Sequence, residues 1–299
     1  MSQPKVAVIG IPGKWSTEVL ADAIEEKTGF RLVIDMSDVV ADLSKGRLLV
    51  HDVDLCELDG IAVKKISQQY SPHTLDRIEL LRLAEQKGVR VFTSPQKIVR
   101  MIDRLSCTMT LNQGNIPMPP TVVTENVAEA FDAVKYFGTA VFKPLFSTKA
   151  QGMTVIDCYA QDVGIMKQIR DYHEQHRMMY IQKKLDLAGR DYGMVFLGGK
   201  YLGSYARVAQ GDSWNTTIDS GGKYELYNPS KEIIELAHEA EALFGMDFTT
   251  VDVAETETGP VVFEVSAFGG FRGAREGIGI DAASLYTDYI IAQITERQA

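Results

Sequence analysis

Short apolar runs alternate with stretches of helical spacing from the start of the chain. Val6 to Ile9 is wholly apolar and ends at Gly10. A helix is predicted from Thr17 to Lys27, with Ser16 as its N-cap and Gly29 as its stop, and Arg31 to Ile34 reads as the next strand. This β-α-β opening predicts a parallel, doubly wound sheet. Ile61 to Ile66 is a further strand ending in Lys64-Lys65. From Thr74, residues Leu75, Ile78, Leu81 and Ala84 recur at helical spacing up to Lys87, and Val89 to Phe92 follows as a strand. Ser94-Pro95 opens a helix that runs to about Asn112. After Gly114, Pro117, Pro119 and Pro120 enforce an extended link.

The second half reads in the same way. Asn126 caps a helix to Phe137, and strands are predicted at Ala140 to Lys143 and Met153 to Asp157. Asp162 to His176 is helical and Met179 to Gln182 is a strand. Arg190 to Leu197 and Lys200 to Val208 form a hairpin about Gly198-Gly199. Gln210 to Gly222 is a polar loop containing Trp214. Ser230 to Phe244 is a helix, and Asp281 caps a terminal helix to about Gln298.

The remaining stretch, Thr249 to Gly273, concentrates the chemistry. Two β-branched runs flank a polar, Gly-containing connection, which predicts a β-hairpin. Alternation puts Val251 and Val253 on one face and Asp252 on the other. In the second run it puts Val261, Phe263 and Val265 together, and Val262, Glu264 and Ser266 opposite. Asp252 and Glu264 are equidistant from Thr258, so a hairpin centred there sets them face to face. Two carboxylates that close repel unless a cation lies between them, and oxygen-only ligands suit Mg²⁺ or Mn²⁺ rather than zinc. A solvated acidic face is the alternative.

Composition narrows the classes. With 299 residues, 45% of them hydrophobic, the chain can bury a core divided over two or three lobes. A net charge of −9 argues against general binding to nucleic acid or anionic membrane. Cys56, Cys107 and Cys158 lack CxxC spacing, so neither a disulfide framework nor a thiolate metal site is indicated. No signal peptide and no bilayer-spanning apolar run are evident, which sets the expected location as cytoplasmic. Gly10 to Lys14 fails both as a Walker A loop, because Trp15 stands where a hydroxyl is needed, and as a GxGxxG fingerprint. The absent fingerprint also counts against a nicotinamide oxidoreductase. A lysine-tipped strand, a small-residue loop from Pro144 to Gly152 holding Lys149, and a returning strand could cover phosphates with backbone N–H groups and two ammonium ions. The alternative is an ordinary hairpin loop.

The order of these parts resembles the RimK-like branch of the ATP-grasp carboxylate–amine ligases over nearly the whole chain. The landmarks are Asp103-Arg104, the stretch from Asn115 to Thr121, Phe142-Lys143, Gln182, Arg207, the loop from Trp214 to Gly222, Asp252, Glu264-Val-Ser266 and Phe271-Arg272-Gly273. The resemblance implies an α/β ATP-grasp fold with an N-terminal Rossmann-like lobe (residues 1–94), a small central α+β lobe (95–184) and a C-terminal α+β lobe (185–299). It implies ATP as a cofactor, contacted by Arg104, Lys143, Ser147, Thr148, Gly152, Gln182, Lys183, Leu185 and Asp191. Arg207 would act on the transferring phosphoryl group, Asp252, Glu264 and Ser266 would hold Mg²⁺ or Mn²⁺, and Arg272 and Lys65 would contact substrate.

The implied partners are a small-molecule or peptide carboxylate and an amine or amino acid such as glutamate, and the expected assembly is a homo-oligomer, a dimer or tetramer. The chain departs from the family pattern at Lys183 (usually Glu), Gly193 (usually Arg), Asn215 and Thr217, Ser266 (usually Asn) and Gly269-Gly270 (usually Pro-Gly). These departures motivate a second expectation, a regulatory ATP-binding protein that has lost turnover.

Overall fold

The computed structural model describes residues 3–148, 150–210 and 215–298. Apolar strands with glycine at their ends build the first unit. It comprises β1 (Val6–Ile9), α1 (Trp15–Thr28), β2 (Val33–Ile34), β3 (Val40–Asp42), β4 (Arg47–Val50), β5 (Val53–Asp54), β6 (Gly60–Val63), α2 (His73–Gln86) and β7 (Arg90–Phe92). The main sheet is parallel in the order β2-β1-β6-β7, and β3-β4-β5 form a small antiparallel sheet beside it. The topological switch lies between β1 and β6, so their C-terminal ends face a crevice. Helix α1 starts at Trp15, so Ser16 lies inside it rather than capping it. The turn before it is held by Thr17 and Glu18, which accept from the N–H groups of Ile11 and Gly13.

The segment expected as one helix to Asn112 is two, α3 (Pro95–Ile102) and α4 (Arg104–Gln113). Asp103 leaves the helical conformation between them and caps α4, accepting from Leu105 N–H at 3.0 Å. Both helices contribute to the core shared by the first and last units, through Ile98, Ile102, Cys107 and Leu111.

The middle sheet is antiparallel in the order β10-β9-β11-β8. Its members are β8 (Thr121–Thr124), β9 (Thr139–Lys143), β10 (Thr154–Asp157) and β11 (Met179–Lys183), with α5 (Val127–Phe137) and α6 (Asp162–Gln175) enclosing a separate apolar core. The proline-rich link thus ends in a strand, β8. The final sheet runs β14-β13-β12-β15-β16, all antiparallel. It is made of β12 (Arg190–Leu197), β13 (Lys200–Val208), β14 (Lys223–Leu226), β15 (Phe248–Thr256) and β16 (Gly259–Val265). Helix α7 (Lys231–Ala242) covers one face; α8 (Phe271–Ile278) and α9 (Ala282–Gln298) pack on the other, against the first unit. No helix among the described residues is long and apolar enough to cross a membrane.

Candidate active site

Register in the last sheet assembles the first group of charges. Asp191 pairs with Arg207, and Gly193 stands between Tyr205 on one side and Asp252 on the other. Alternation therefore sends Asp191, Arg207 and Asp252 to one face. The Arg207 guanidinium grips Asp191 with two N–H groups, Nε at 3.1 Å from Oδ1 and Nη2 on Oδ2, and Nη2 also lies 3.0 Å from Asp252 Oδ2. Burial opposes the Arg207 charge, but Asp252 and Asp191 outweigh it and hold the guanidinium well above its ordinary pKa. Burial pushes the Asp252 carboxyl up; Arg207 pulls it down and Glu264 pushes it up further. Its second oxygen, Oδ1, is buried without a hydrogen-bond partner.

A bulge brings in the second carboxylate. The turn pairs Thr256 with Gly259, and that register continued would set Phe263 opposite Asp252. One extra residue shifts the ladder after Val253–Val262, so Asp252 faces Glu264 as expected, although the turn is centred half a residue away from Thr258. The expected faces change with it. Val262 and Val265 enter the core, while Phe263 turns towards Lys143 of β9 and Glu264 towards Arg104 of α4.

Arg104 and Lys143 meet them. Arg104 donates from Nη1 to Glu264 at 3.2 Å, from Nε to the Pro144 carbonyl and from Nη2 to the Ser147 hydroxyl. Lys143 Nζ lies 5.1 Å from the Phe263 ring centre and donates to Gln182 Oε1. Gln182 in turn donates to Thr121 and to the Tyr180 hydroxyl, which is bonded to Thr108. Burial lowers the Lys143 ammonium to about 7, with Arg104 pushing the same way and Glu264 opposing. The result is three cations and three carboxylates around one junction.

A RimK-like ATP-grasp domain matches residues 101–290. The chain belongs to the RimK-like ATP-grasp family. Among relatives, it is 24% identical over 310 residues to the tetrahydromethanopterin:alpha-L-glutamate ligase of Methanosarcina acetivorans, covering 93% of this chain and 96% of that one. Among structures, it is similar to a RimK domain ATP-grasp protein of Sphaerobacter thermophilus, with a TM-score of 0.74, 20% identity, and coverage of 95% and 98%. It is also similar to the ATP-grasp ligase PsnB complexed with minimal precursor, Mg and ADP, with a TM-score of 0.73, 17% identity, and coverage of 97% of each chain. The α/β ATP-grasp fold expected from the motif order is thus the fold of this chain.

Within this RimK-like ATP-grasp chain, Arg104, Lys143, Ser147, Gln182, Asp191, Arg207, Asp252 and Glu264 come together through the contacts above. Ser266 follows β16; its N–H donates to Thr250 and its carbonyl accepts from Thr249. Thr148 and Gly152 lie in the β9–β10 loop, where Gly152 adopts a φ of +71°. Lys183 ends β11 with its side chain in solvent, and Leu185 is half-buried just beyond. Arg272 lies 5.6 Å from the Trp15 ring centre and 3.6 Å from Glu276. Lys65 is anchored by its N–H to Ile9 O at the end of β1. Trp214 and Lys149 lie outside the described residues.

The family's metal can be tested against these residues. No group of three or more His, Cys, Asp and Glu side chains gathers among the described residues, but Asp252 and Glu264 fit a hard cation. The orphaned Asp252 Oδ1 supplies the reason: a buried carboxylate oxygen without a partner is destabilising until a cation or water meets it. Two residues near the site were missed by the sequence reading. Tyr205 fills the space where a side chain at Gly193 would go, since a Cβ there would lie 2.4 Å from its ring. Lys64 is the other, visible in the sequence only as a charge closing an apolar strand.

Proposed function

We propose that this ATP-dependent carboxylate–amine ligase works through an acyl phosphate, adding an amino acid such as glutamate to a small-molecule or peptide carboxylate. The carrying observation is the Asp252–Glu264 pair, in register, with one oxygen orphaned and three cations beside it. One oxygen of the acceptor carboxylate attacks the γ-phosphorus of ATP and ADP leaves. The amine nitrogen then attacks the acyl carbon, phosphate departs and the nitrogen loses its proton. Lys143 and Arg104 hold phosphates, and Arg207 stabilises the transferring group; positioning and charge do the work without a protein nucleophile. Asp252 and Glu264, with Ser266 next to them, would hold Mg²⁺ or Mn²⁺, which supplies charge neutralisation when bound.

This reading includes a cytoplasmic setting, lobes at 1–94, 95–184 and 185–299, and a dimer or tetramer. Light scattering on the purified protein tests the last. The activity is tested by ADP release over amino acids, L-glutamate first, paired with carboxylate metabolites and peptides. Mg·ATP at about a hundred times its Kd raises stability by about 2.7 kcal/mol, seen as a higher Tm. Lys143→Ala loses most of that rise while staying folded. An unchanged rise in the variant removes the phosphate assignment.

A further inference from the structure

Lys64 has no part in the chemistry above, yet it is 6% exposed and sits between the first and last units. Its backbone is fixed at the switch point, because the N–H of Lys64 donates to Ile9 O at 2.8 Å. Its Nζ donates to the Gly269 carbonyl at 2.7 Å and lies 4.3 Å from the centre of the Phe271 ring. No carboxylate among the described residues lies within ion-pair distance of it. Burial first, and Lys65 second, lower its ammonium to about 7. A buried lysine held by a neutral carbonyl and an aromatic face is unfavourable compared with a methionine of similar size, unless its bond fixes something the fold needs.

What it fixes is the turn between β16 and α8. That turn is gripped from the β15 side by Thr249, which donates to Ser266 O, and by Thr250, which accepts from the Gly270 N–H. Gly269 is pressed so close that a Cβ would lie 2.6 Å from Phe248. Lys64 is the hold from the opposite side, and it comes from a different unit. Helix α8 starts immediately after, with Gly270 as an N-cap that offers no side-chain bond. The orientation of α8, and of Arg272 in its first turn, therefore depends on backbone contacts.

We propose that Lys64 is a positioning residue that sets the 267–272 turn and the start of α8 for the carboxylate substrate, while Ser266, held by Thr249 and Thr250, and the nucleotide groups are left alone. The proposal rests on the ligase reading for its substrate half only. The nucleotide groups Lys143, Gln182 and Arg104 belong to elements that Lys64 does not touch. Glutamine at 64 keeps an N–H donor, one bond shorter than the lysine, whereas methionine has none, so the pair of variants separates the bond from the bulk.

The test combines hydrogen exchange with kinetics on Lys64→Met and Lys64→Gln. In Lys64→Met, amides of residues 267–278 exchange about tenfold faster than in the wild type, and those of 139–157 are unchanged. With the substrate pair found by ADP release, KM for the carboxylate rises about tenfold, KM for ATP stays within about twofold, and Lys64→Gln recovers most of the loss. Wild-type exchange at 267–278 in Lys64→Met overturns the proposal, as does an equal rise in both KM values. If Lys64→Met does not fold, a wild-type KM ratio in Lys64→Ala overturns it instead. A wild type that gives no Tm rise with Mg·ADP sinks the ligase reading, and the exchange arm still decides for or against Lys64.

Discussion

Arg207 and Arg104 each pair with a carboxylate of the same hairpin, but in different settings. Arg207 holds two acids of its own sheet, and all three side chains are less than a fifth exposed. Arg104 reaches from α4 across to β16 through one contact of 3.2 Å, and its partner Glu264 is 42% exposed. The first group sets one guanidinium against two carboxyls in a place water barely reaches, with burial working against the charge on Asp252. The second is a single, partly exposed contact between a helix and the edge strand of the sheet. The site thus has a half fixed by strand register and a half held by one partly exposed ion pair, where, on the proposed function, Arg104 would trade Glu264 for a phosphate.

The largest test removes the half fixed by register. Arg207→Met strands Asp191 and Asp252 without their cation, and unfolding in urea should show a loss of about 3–5 kcal/mol. A loss below about 1 kcal/mol would mean the group is hydrated, and the contrast with Arg104 would collapse. Lys143 gives the next effect, in pH. With its pKa near 7, and phosphates favouring its charged form, the Lys143 amine takes up a proton when ATP binds above that pH. The Kd for Mg·ATP should be flat below about 7 and then rise with pH, by up to about tenfold per unit. Calorimetry between pH 6 and 9 checks it, and a flat curve throughout rejects the assignment.

Smaller effects sharpen the half held by one ion pair. Glu264→Gln should change stability by no more than about 1 kcal/mol, since its pair is partly in water, yet abolish ADP formation at every Mg²⁺ concentration. Activity that returns at high Mg²⁺ would show that Asp252 alone suffices. Ser266→Asn should give the smallest change, a lower Mg²⁺ requirement at half-maximal rate, because an amide oxygen reaches further than a hydroxyl. Superimposable Mg²⁺ curves would remove Ser266 from the metal set.

Much of this was legible where local chemistry is strict. The hairpin about Gly198-Gly199 and the helix capped by Asn126 follow from glycine turns and an Asn cap, and both appear residue for residue. The break at Asp103 was hidden because apolar periodicity continues across it. The small sheet of β3, β4 and β5 was hidden because strands of two to four residues carry no alternation to detect. In the site, the Asp252–Glu264 pairing was readable from strand alternation, and Lys143 from its place at the strand end before a small-residue loop, whereas Arg104, Arg207 and Asp191 came only from the family resemblance. Lys64 and Tyr205 were not readable, since their roles come from glycines and a carbonyl distant in the chain. The faces of β16 were misassigned for a related reason. A bulge is a backbone irregularity, and nothing in the side-chain pattern of Pro260 to Val265 announces it.

That bulge has a consequence for how this gene can vary. It turns Phe263 and Glu264 to the same side, so one strand step contacts both Lys143 and Arg104. Loss of the Phe263 codon would leave Glu264 opposite Asp252 in an unbulged ladder, with Val262 and Val265 still in the core. It would also strip the ring from beside Lys143. A single in-frame deletion could thus keep the carboxylates and uncouple them from the strand that carries Lys143, whereas the turn at Thr256 to Gly259 can change sequence without touching either.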